Sequence, residues 1–254
     1  AYFYLLSGGI PFTVIGGGSN ILVSDKGYKG VILKFFNDKF IKDCGGGYFL
    51  VSGGASSARA VSKIIAAGYS GFEFAGAVPG SIGGHIAMNC GCYGSEMKDI
   101  ITYVKAATES GLQVYDNKQC RFGYRNSVFL KKQCIILSAM LKLKKEDVSR
   151  ARQNLKDLFI LRKKNLPLKP SAGSVFKRQG ENLDIMPAKL IDEAGLKGLK
   201  EGGAQVSTKH SGFIINNGNA TSSDIYRLIN KVKNLIYQKY ALTLSEEIIY
   251  IGDF

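Results

Sequence analysis

The sequence contains no apolar run approaching the ~20 residues that a membrane-crossing helix needs, so no membrane insertion is expected. Its first residues, Ala1-Tyr2-Phe3-Tyr4-Leu5-Leu6, carry neither a basic leader nor a cleavage pattern, and no signal peptide is expected. Cysteine is sparse and odd in number. Cys44, Cys90, Cys92, Cys120 and Cys134 show no metal-ligand spacing and no paired disulfide frame, so no metal is expected and a reducing, cytoplasmic compartment fits best. Acidic residues are also few, 20 against 34 Lys and Arg, and the net charge of +14 attracts phosphate-bearing molecules. The clusters Lys142-Leu143-Lys144-Lys145 and Arg162-Lys163-Lys164 adjoin predicted helices and lack interleaved stacking aromatics, which argues against a specific nucleic-acid partner.

Glycine is what the chain has in quantity. Of 31 glycines, 22 precede residue 128, so the first half reads as strands joined by tight, backbone-exposed turns and the second as more helical. A length of 254 residues, at roughly 150 per domain, allows one or two domains, and two sharing one site are expected. β-branched and aromatic content predicts strands at 12–15, 31–36, 48–51, 100–108 and 135–143. A helix over 56–67 is predicted with Ser56 or Ser57 as its cap, Val61, Ile64 and Ile65 on one face and Gly68 as its stop. Val148, Ala151, Leu155, Leu158 and Arg162 follow helical spacing up to Pro167. A short helix over 187–194 opens on proline and stops at Gly195. A longer one aligns Ile225, Leu228, Ile229, Val232, Leu235 and Ile236, with Thr221, Ser222 or Ser223 as its cap, and a strand follows at 248–251. The class is α+β.

Two glycine segments carry a chemical signal. Gly16-Gly17-Gly18-Ser19-Asn20 follows a predicted strand, where glycines let N–H groups approach an anion and Ser and Asn add side-chain donors. It is not a Walker loop, since no Gly-Lys-Ser/Thr closes it. It fails the Rossmann fingerprint because Ile21 stands at the third glycine. The second segment runs Gly71-Phe72-Glu73-Phe74-Ala75-Gly76-Ala77-Val78-Pro79-Gly80-Ser81-Ile82-Gly83-Gly84 and continues to Met88-Asn89-Cys90-Gly91-Cys92-Tyr93-Gly94. Its small residues describe a backbone that passes close to something flat or charged, or a tight chain crossing.

These segments, in this order and spacing, resemble the UDP-N-acetylenolpyruvoylglucosamine reductase (MurB) family. Further landmarks follow: Phe122-Gly123-Tyr124-Arg125-Asn126-Ser127, Pro170-Ser171-Ala172-Gly173-Ser174-Val175-Phe176-Lys177, Ala188-Lys189-Leu190-Ile191-Asp192-Glu193-Ala194-Gly195-Leu196-Lys197-Gly198 and Glu247-Ile248-Ile249-Tyr250-Ile251-Gly252. The resemblance implies an FAD-binding domain of the MurB/PCMH-like type over 1–145, a smaller α+β substrate-binding domain over 146–245, and a C-terminal strand over 246–254 carrying a catalytic glutamate. It implies non-covalent FAD on Gly16, Gly17, Gly18, Ser19 and Asn20 together with Val78, Pro79, Gly80, Ser81, Gly83 and Gly84. NADPH is the implied reductant and UDP-N-acetylglucosamine enolpyruvate, a peptidoglycan precursor, the implied substrate.

The same resemblance implies the catalytic set. Arg125 supplies a cation to the developing enolate, Ser174 protonates it and Glu247 assists; Tyr124, Lys197 and His210 contact substrate. Glu246, beside Glu247, makes a one-residue slip possible, and Ile-x-Tyr-Ile-Gly sets the register. Departures are clear. Ala77 replaces a glycine, Cys90 and Cys92 replace small residues, and His85 falls at a position usually small and apolar and is given no role. Arg178-Gln179 replaces Asn-Pro, and Ser245-Glu246 replaces Glu-Pro. The chain starts where family members already have an Asn-Thr segment, so a truncated flavin wall is expected. No tyrosine-bearing insertion separates Arg125 from Ser174, the pattern of the shorter subtype. Two alternatives stand: an FAD-linked oxidase on a similar fold, for which His85, Cys90 and Cys92 lie in a suitable segment, and a non-enzymatic basic nucleic-acid binder. Oligomeric state is left open.

Overall fold

The structure, a computed structural model, describes all residues 1–254 and divides into two compact units. One comprises Ala1–Gly18 and Gly30–Leu161, the other Ser19–Lys29 and Arg162–Phe254. No helix is long and apolar enough to cross a membrane.

The first unit is built on a five-stranded antiparallel sheet, in the order Gly111–Asp116, Ile101–Thr108, Ile135–Lys142, Tyr48–Ser52 and Ile41–Asp43. Alternation along the strands buries Phe49 and Val51, Val104 and Ala106, and Ala139 and Leu141. Helix Ser57–Ala66 covers this core with Ala60, Val61, Ile64 and Ile65, a one-face helical spacing in which each large aliphatic contributes roughly 1.5–3 kcal/mol. It stops at Gly68, whose φ of 83° only glycine adopts cheaply. Ser56 takes the cap position but makes no side-chain cap bond, and Ser57 turns its hydroxyl elsewhere. A satellite cluster joins helix Tyr2–Ser7, through Tyr2 and Leu5, to Phe12 and Ala107 beside the parallel pair Phe12–Ile15 and Val31–Lys34.

The second unit is a three-stranded antiparallel meander, Lys200–Glu201, Ala204–Val206 and Ile214–Asn216, packed under helix Ser222–Tyr240. That helix buries Leu228, Ile229, Val232 and Ile236. Thr221 caps it: its hydroxyl accepts from the Asp224 N–H at 3.0 Å while the Asp224 carboxylate accepts from the Thr221 N–H at 3.0 Å. Helix Pro187–Glu193 begins on its proline, as expected where no N–H is needed, and buries Ile191. Early residues complete this unit. Ile21–Val23 pairs in parallel with Ile249–Ile251, and the Asp25 carboxylate accepts from both the N–H and the hydroxyl of Ser222.

Several expectations shift at their edges. The strand predicted over 31–36 is Val31–Lys34, and those over 100–108 and 135–143 are Ile101–Thr108 and Ile135–Lys142. The helix predicted up to Pro167 is Val148–Asn165, ending two residues before the proline because the residue preceding proline disfavours helical backbone. Gly111–Asp116, Ile41–Asp43 and Ile21–Val23 are additional strands, and Tyr2–Ser7 an additional helix.

Candidate functional site

In the first unit the two glycine segments lie back to back. A Cβ on Gly16 would sit 2.6 Å from the Ser81 hydroxyl, and one on Gly17 would sit 2.8 Å from the Gly80 Cα. Gly17 is therefore required by the approach of main chain to main chain, and Gly16 by the Ser81 hydroxyl that crosses it. The second segment is pinned from beneath. Ser57 donates its hydroxyl to the Val78 and Gly80 carbonyls at 3.0 and 3.2 Å, the Ser57 N–H reaches Gly80, and the N–H groups of Ile82 and Gly83 reach Ala55 and Gly53. Ser81 caps helix Ile82–Ala87, accepting from the Gly84 N–H at 3.3 Å, and Gly83 and Gly84 open that helix without side chains. Gly17, Gly18 and Pro79 are exposed, and Gly16, Val78, Gly80, Gly83 and Gly84 half-buried, so two turns present adjoining main chain to solvent.

Ser19 and Asn20 leave this turn for the second unit. The Asn20 amide donates to the Glu247 carbonyl at 3.1 Å, and the Ile249 N–H donates to the Asn20 carbonyl at 3.0 Å. Asn20 is thereby tied to the strand entrance at Glu247.

His85 is 4% exposed, and neither ring nitrogen has a hydrogen-bond partner. Burial drives its pKa from 6.5 down to about 4, and the backbone of Pro79 opposes this only in part. The side chain is neutral near pH 7. Cys92 points its thiol at the Phe74 carbonyl, 3.3 Å away, and all five cysteines are free thiols.

Tyr124 and Arg125 form the tip of a two-residue turn closed by reciprocal bonds between Gly123 and Asn126 at 3.0 and 3.2 Å. Arg125 has φ 49°, a left-handed backbone that costs a non-glycine residue on the order of 1 kcal/mol. Its guanidinium donates to the Gly91 carbonyl at 3.0 Å and lies 5.1 Å from the Tyr124 ring centroid. Of the six non-glycine residues with positive φ, Asn89, Tyr93, Arg121 and Arg125 concentrate in this region.

In the second unit the extended segment through Ser174 lies between two neighbours. Ser174 bridges Phe213, the Val175 N–H reaches Gly212 at 2.8 Å, the Glu247 N–H reaches the Val175 carbonyl at 2.7 Å, and Phe176 bridges Glu246. Ser174 and Glu247, 73 positions apart in the sequence, are thus carried on paired segments. Glu246 is held by Lys233 on the long helix, Nζ to Oε1 2.7 Å. His210 accepts at Nδ1 from the Gly212 N–H, 3.2 Å away, and meets the Phe213 ring edge-on at 5.0 Å. Burial, with Lys197 adding to it, lowers the His210 pKa, so the neutral ring carries its proton on Nε2. Lys197 is exposed and paired with Asp192 at 2.7 Å. Arg178 is exposed on a hairpin closed by Gln179 and Ile185.

Sequence reasoning missed two supporting residues, Ser57 beneath the glycine turn and Asn89 behind the Arg125 turn. Ser57 was visible only as a cap candidate. Asn89 stood as a lone uncharged amide among small and sulfur-bearing neighbours, the one local sign that something there needs donors.

Adjoining glycine turns over an antiparallel sheet, followed by a second α+β unit, define a two-part flavoprotein of the oxidoreductase class: residues 4–115 match the FAD binding domain model. Residues 165–251 match the model of the UDP-N-acetylenolpyruvoylglucosamine reductase C-terminal domain. The chain is 39% identical over 252 residues to the UDP-N-acetylenolpyruvoylglucosamine reductase of Caldanaerobacter subterraneus subsp. tengcongensis, covering 98% of this chain and 82% of that protein. It is 40% identical to that of Syntrophomonas wolfei over 247 residues, covering 96% and 81%. The crystal structure of the Thermus caldophilus reductase (MurB) superposes with a TM-score of 0.83 at 29% identity, covering 99% of this chain and 90% of that one. The chain belongs to the UDP-N-acetylenolpyruvoylglucosamine reductase family, and the match over 165–251 favours the reductase over the oxidase alternative.

Proposed function

We propose that this chain reduces UDP-N-acetylglucosamine enolpyruvate to UDP-N-acetylmuramate with electrons from NADPH, using FAD, in peptidoglycan precursor synthesis. The observation that carries the reading is the pairing of the Ser174 and Glu247 segments within a unit that matches the reductase-specific C-terminal domain. The residues present fit FAD: Gly16 and Gly17 lie against Ser81 and Gly80 so closely that a Cβ on either would collide, and the outer face of this seam is main chain open to an anionic group. Gly16, Gly17, Gly18, Ser19 and Asn20, with Val78, Pro79, Gly80, Ser81, Gly83 and Gly84, would hold the cofactor; Asn20 also donates its amide to the Glu247 carbonyl. When bound, FAD supplies hydride chemistry, with NADPH as its reductant.

The chain's own residues then handle charge and protons. Addition of hydride to the terminal carbon of an enolpyruvyl ether forms the C–H bond there and leaves negative charge on the neighbouring carbon and its carboxylate. Arg125, permanently cationic and planar, stabilises that charge, and its strained turn holds the guanidinium in place. Ser174 delivers a proton to the basic carbon, and Glu247 polarises or reprotonates the serine. Glu246 is occupied with Lys233, which supports assigning the carboxylate role to Glu247. His210 offers Nε2–H as a neutral donor to substrate, Tyr124 lines the arginine, and Lys197 exchanges Asp192 for the diphosphate. Free thiols and the use of NADPH suit a cytoplasmic location.

The experiment is a spectral titration of the flavin-loaded protein. UDP-N-acetylglucosamine enolpyruvate should perturb the flavin bands and reoxidise the NADPH-reduced protein, while the same sugar without UDP should do neither at equal concentration. Equal responses to both would remove the UDP assignment. Flavin remaining with an acid-precipitated pellet would restore the oxidase.

A further inference from the structure

Behind the Arg125 turn lies a side chain that the proposed chemistry does not use. Asn89 is fully buried, at 0% exposure, with φ 42°, the left-handed backbone that asparagine tolerates better than most residues. Its amide nitrogen donates to Glu96 Oε2 at 2.9 Å and to the Gly123 carbonyl at 3.0 Å; its amide oxygen accepts from the Lys98 N–H at 2.9 Å. An amide has two N–H donors, and both are spent here. The orientation is fixed by its partners, because a flipped amide would set oxygen against a carboxylate and a carbonyl.

Each partner has a defined place. Gly123 begins the two-residue turn, and its carbonyl takes both the turn-closing bond from Asn126 and the bond from Asn89. Glu96 is held by Lys98 through an ion pair, and its backbone N–H by Asp99, so it is a fixed acceptor that aims the amide. Two further bonds tie the same turn to the same segment: the Arg125 guanidinium to the Gly91 carbonyl and the Ser127 hydroxyl to the Ala87 carbonyl at 2.7 Å. Of these three tethers, only the Asn89 bond holds the main chain on the N-terminal side of Arg125.

We propose that Asn89, aimed by Glu96, is a positioning residue that fixes the backbone of the Arg125 turn and so the guanidinium for the reductive step. The proposal rests on the role given to Arg125 above. A displacement of about 1 Å at such a group costs a rate on the order of 10²-fold, so the role is read in turnover, measured on protein that remains folded and flavin-loaded.

Two variants separate this from a packing role. Asn89→Gly keeps the left-handed backbone without strain and removes the amide; Asn89→Asp keeps the shape and loses both donors. In the flavin-loaded protein, stopped-flow reduction by NADPH and FAD stoichiometry should stay within twofold of wild type, while reoxidation by UDP-N-acetylglucosamine enolpyruvate slows 10- to 100-fold. Arg125→Ala combined with Asn89→Gly should be no slower than Arg125→Ala alone, since coupled residues do not add. Multiplicative losses, or unchanged reoxidation in the single variants, would overturn the proposal. Hydrogen exchange over 120–127 gives a readout free of the substrate assignment: it should rise at least tenfold in Asn89→Gly, and unchanged exchange refutes the positioning role. Failure of wild-type protein to reoxidise with the substrate would instead count against the reductase reading alone.

Discussion

Ser174 and His85 show how differently a polar side chain can be used in this protein. Ser174, half-buried on a paired segment, is the residue proposed to deliver the proton, so its loss should leave anaerobic bleaching of the flavin by NADPH nearly intact. Reoxidation by the enolpyruvyl substrate should slow by the ~10²–10⁴-fold typical of a lost general acid in Ser174→Ala. Wild-type reoxidation with reduced product formed would make Ser174 a structural residue. His85 has no such task in view. It is buried and neutral, with a folded pKa of about 4 against 6.5. Above pH 6.5 both folded and unfolded chains keep it neutral, and it contributes no pH dependence. Between 6.5 and about 4 the unfolded chain takes the proton first, so stability falls as pH falls, by about 3 kcal/mol over the window. Urea midpoints measured from pH 7.5 to 4 should drop more steeply in wild type than in His85→Leu. Parallel slopes would mean that the imidazole gains a partner that the burial does not reveal.

At the scale of elements, the glycine seam and the long-helix cap invite opposite expectations. A methyl on Gly17 meets Gly80 main chain at 2.8 Å, which cannot rotate away as a flexible side chain could. Gly17→Ala should therefore push the two turns apart and yield protein that purifies with little or no flavin, checked by absorbance against protein concentration. Normal FAD content would show that the seam has slack. Thr221→Ala removes one half of a capping box from a helix whose apolar face is already well buried. It should cost only about 1 kcal/mol, a few degrees in Tm, with turnover unchanged. The same contrast explains what sequence could tell. Helices Ser57–Ala66 and Ser222–Tyr240 were legible because their buried residues recur on one face. Strand Gly111–Asp116 was not, because it is a short edge strand whose apolar residues Leu112 and Val114 are both more than half exposed, so no buried face marks it.

Over the whole molecule, motif order carried the family, while the contacts that make a site were settled by non-local pairing. Nothing near Ser174 announces Glu247, and nothing near Asn20 announces that its amide will hold the Glu247 carbonyl, 227 positions away. Departure of residues 19–29 to the second unit was equally hidden, since the Gly-Gly-Gly-Ser-Asn run reads locally as one turn although its glycines and its polar pair part company. The side chains around Arg125 were legible as a motif, and their strain was not, because φ is not written in residue type.

That early excursion sets a clock on biosynthesis. Ile21–Val23 emerges from the ribosome well before its partner Ile249–Ile251, which follows only after some 227 further residues. At roughly 5–20 residues per second the apolar strand waits about 10–45 s with no mate. The second unit cannot close during that interval, however quickly its helices form. Nascent chains arrested before Ile249 should expose Ile21–Val23 to protease and to chaperones that bind unpaired strands, and chains released past Ile251 should not. For this protein, translation speed and holdase supply are thus expected to govern yield more than the stability of the finished fold.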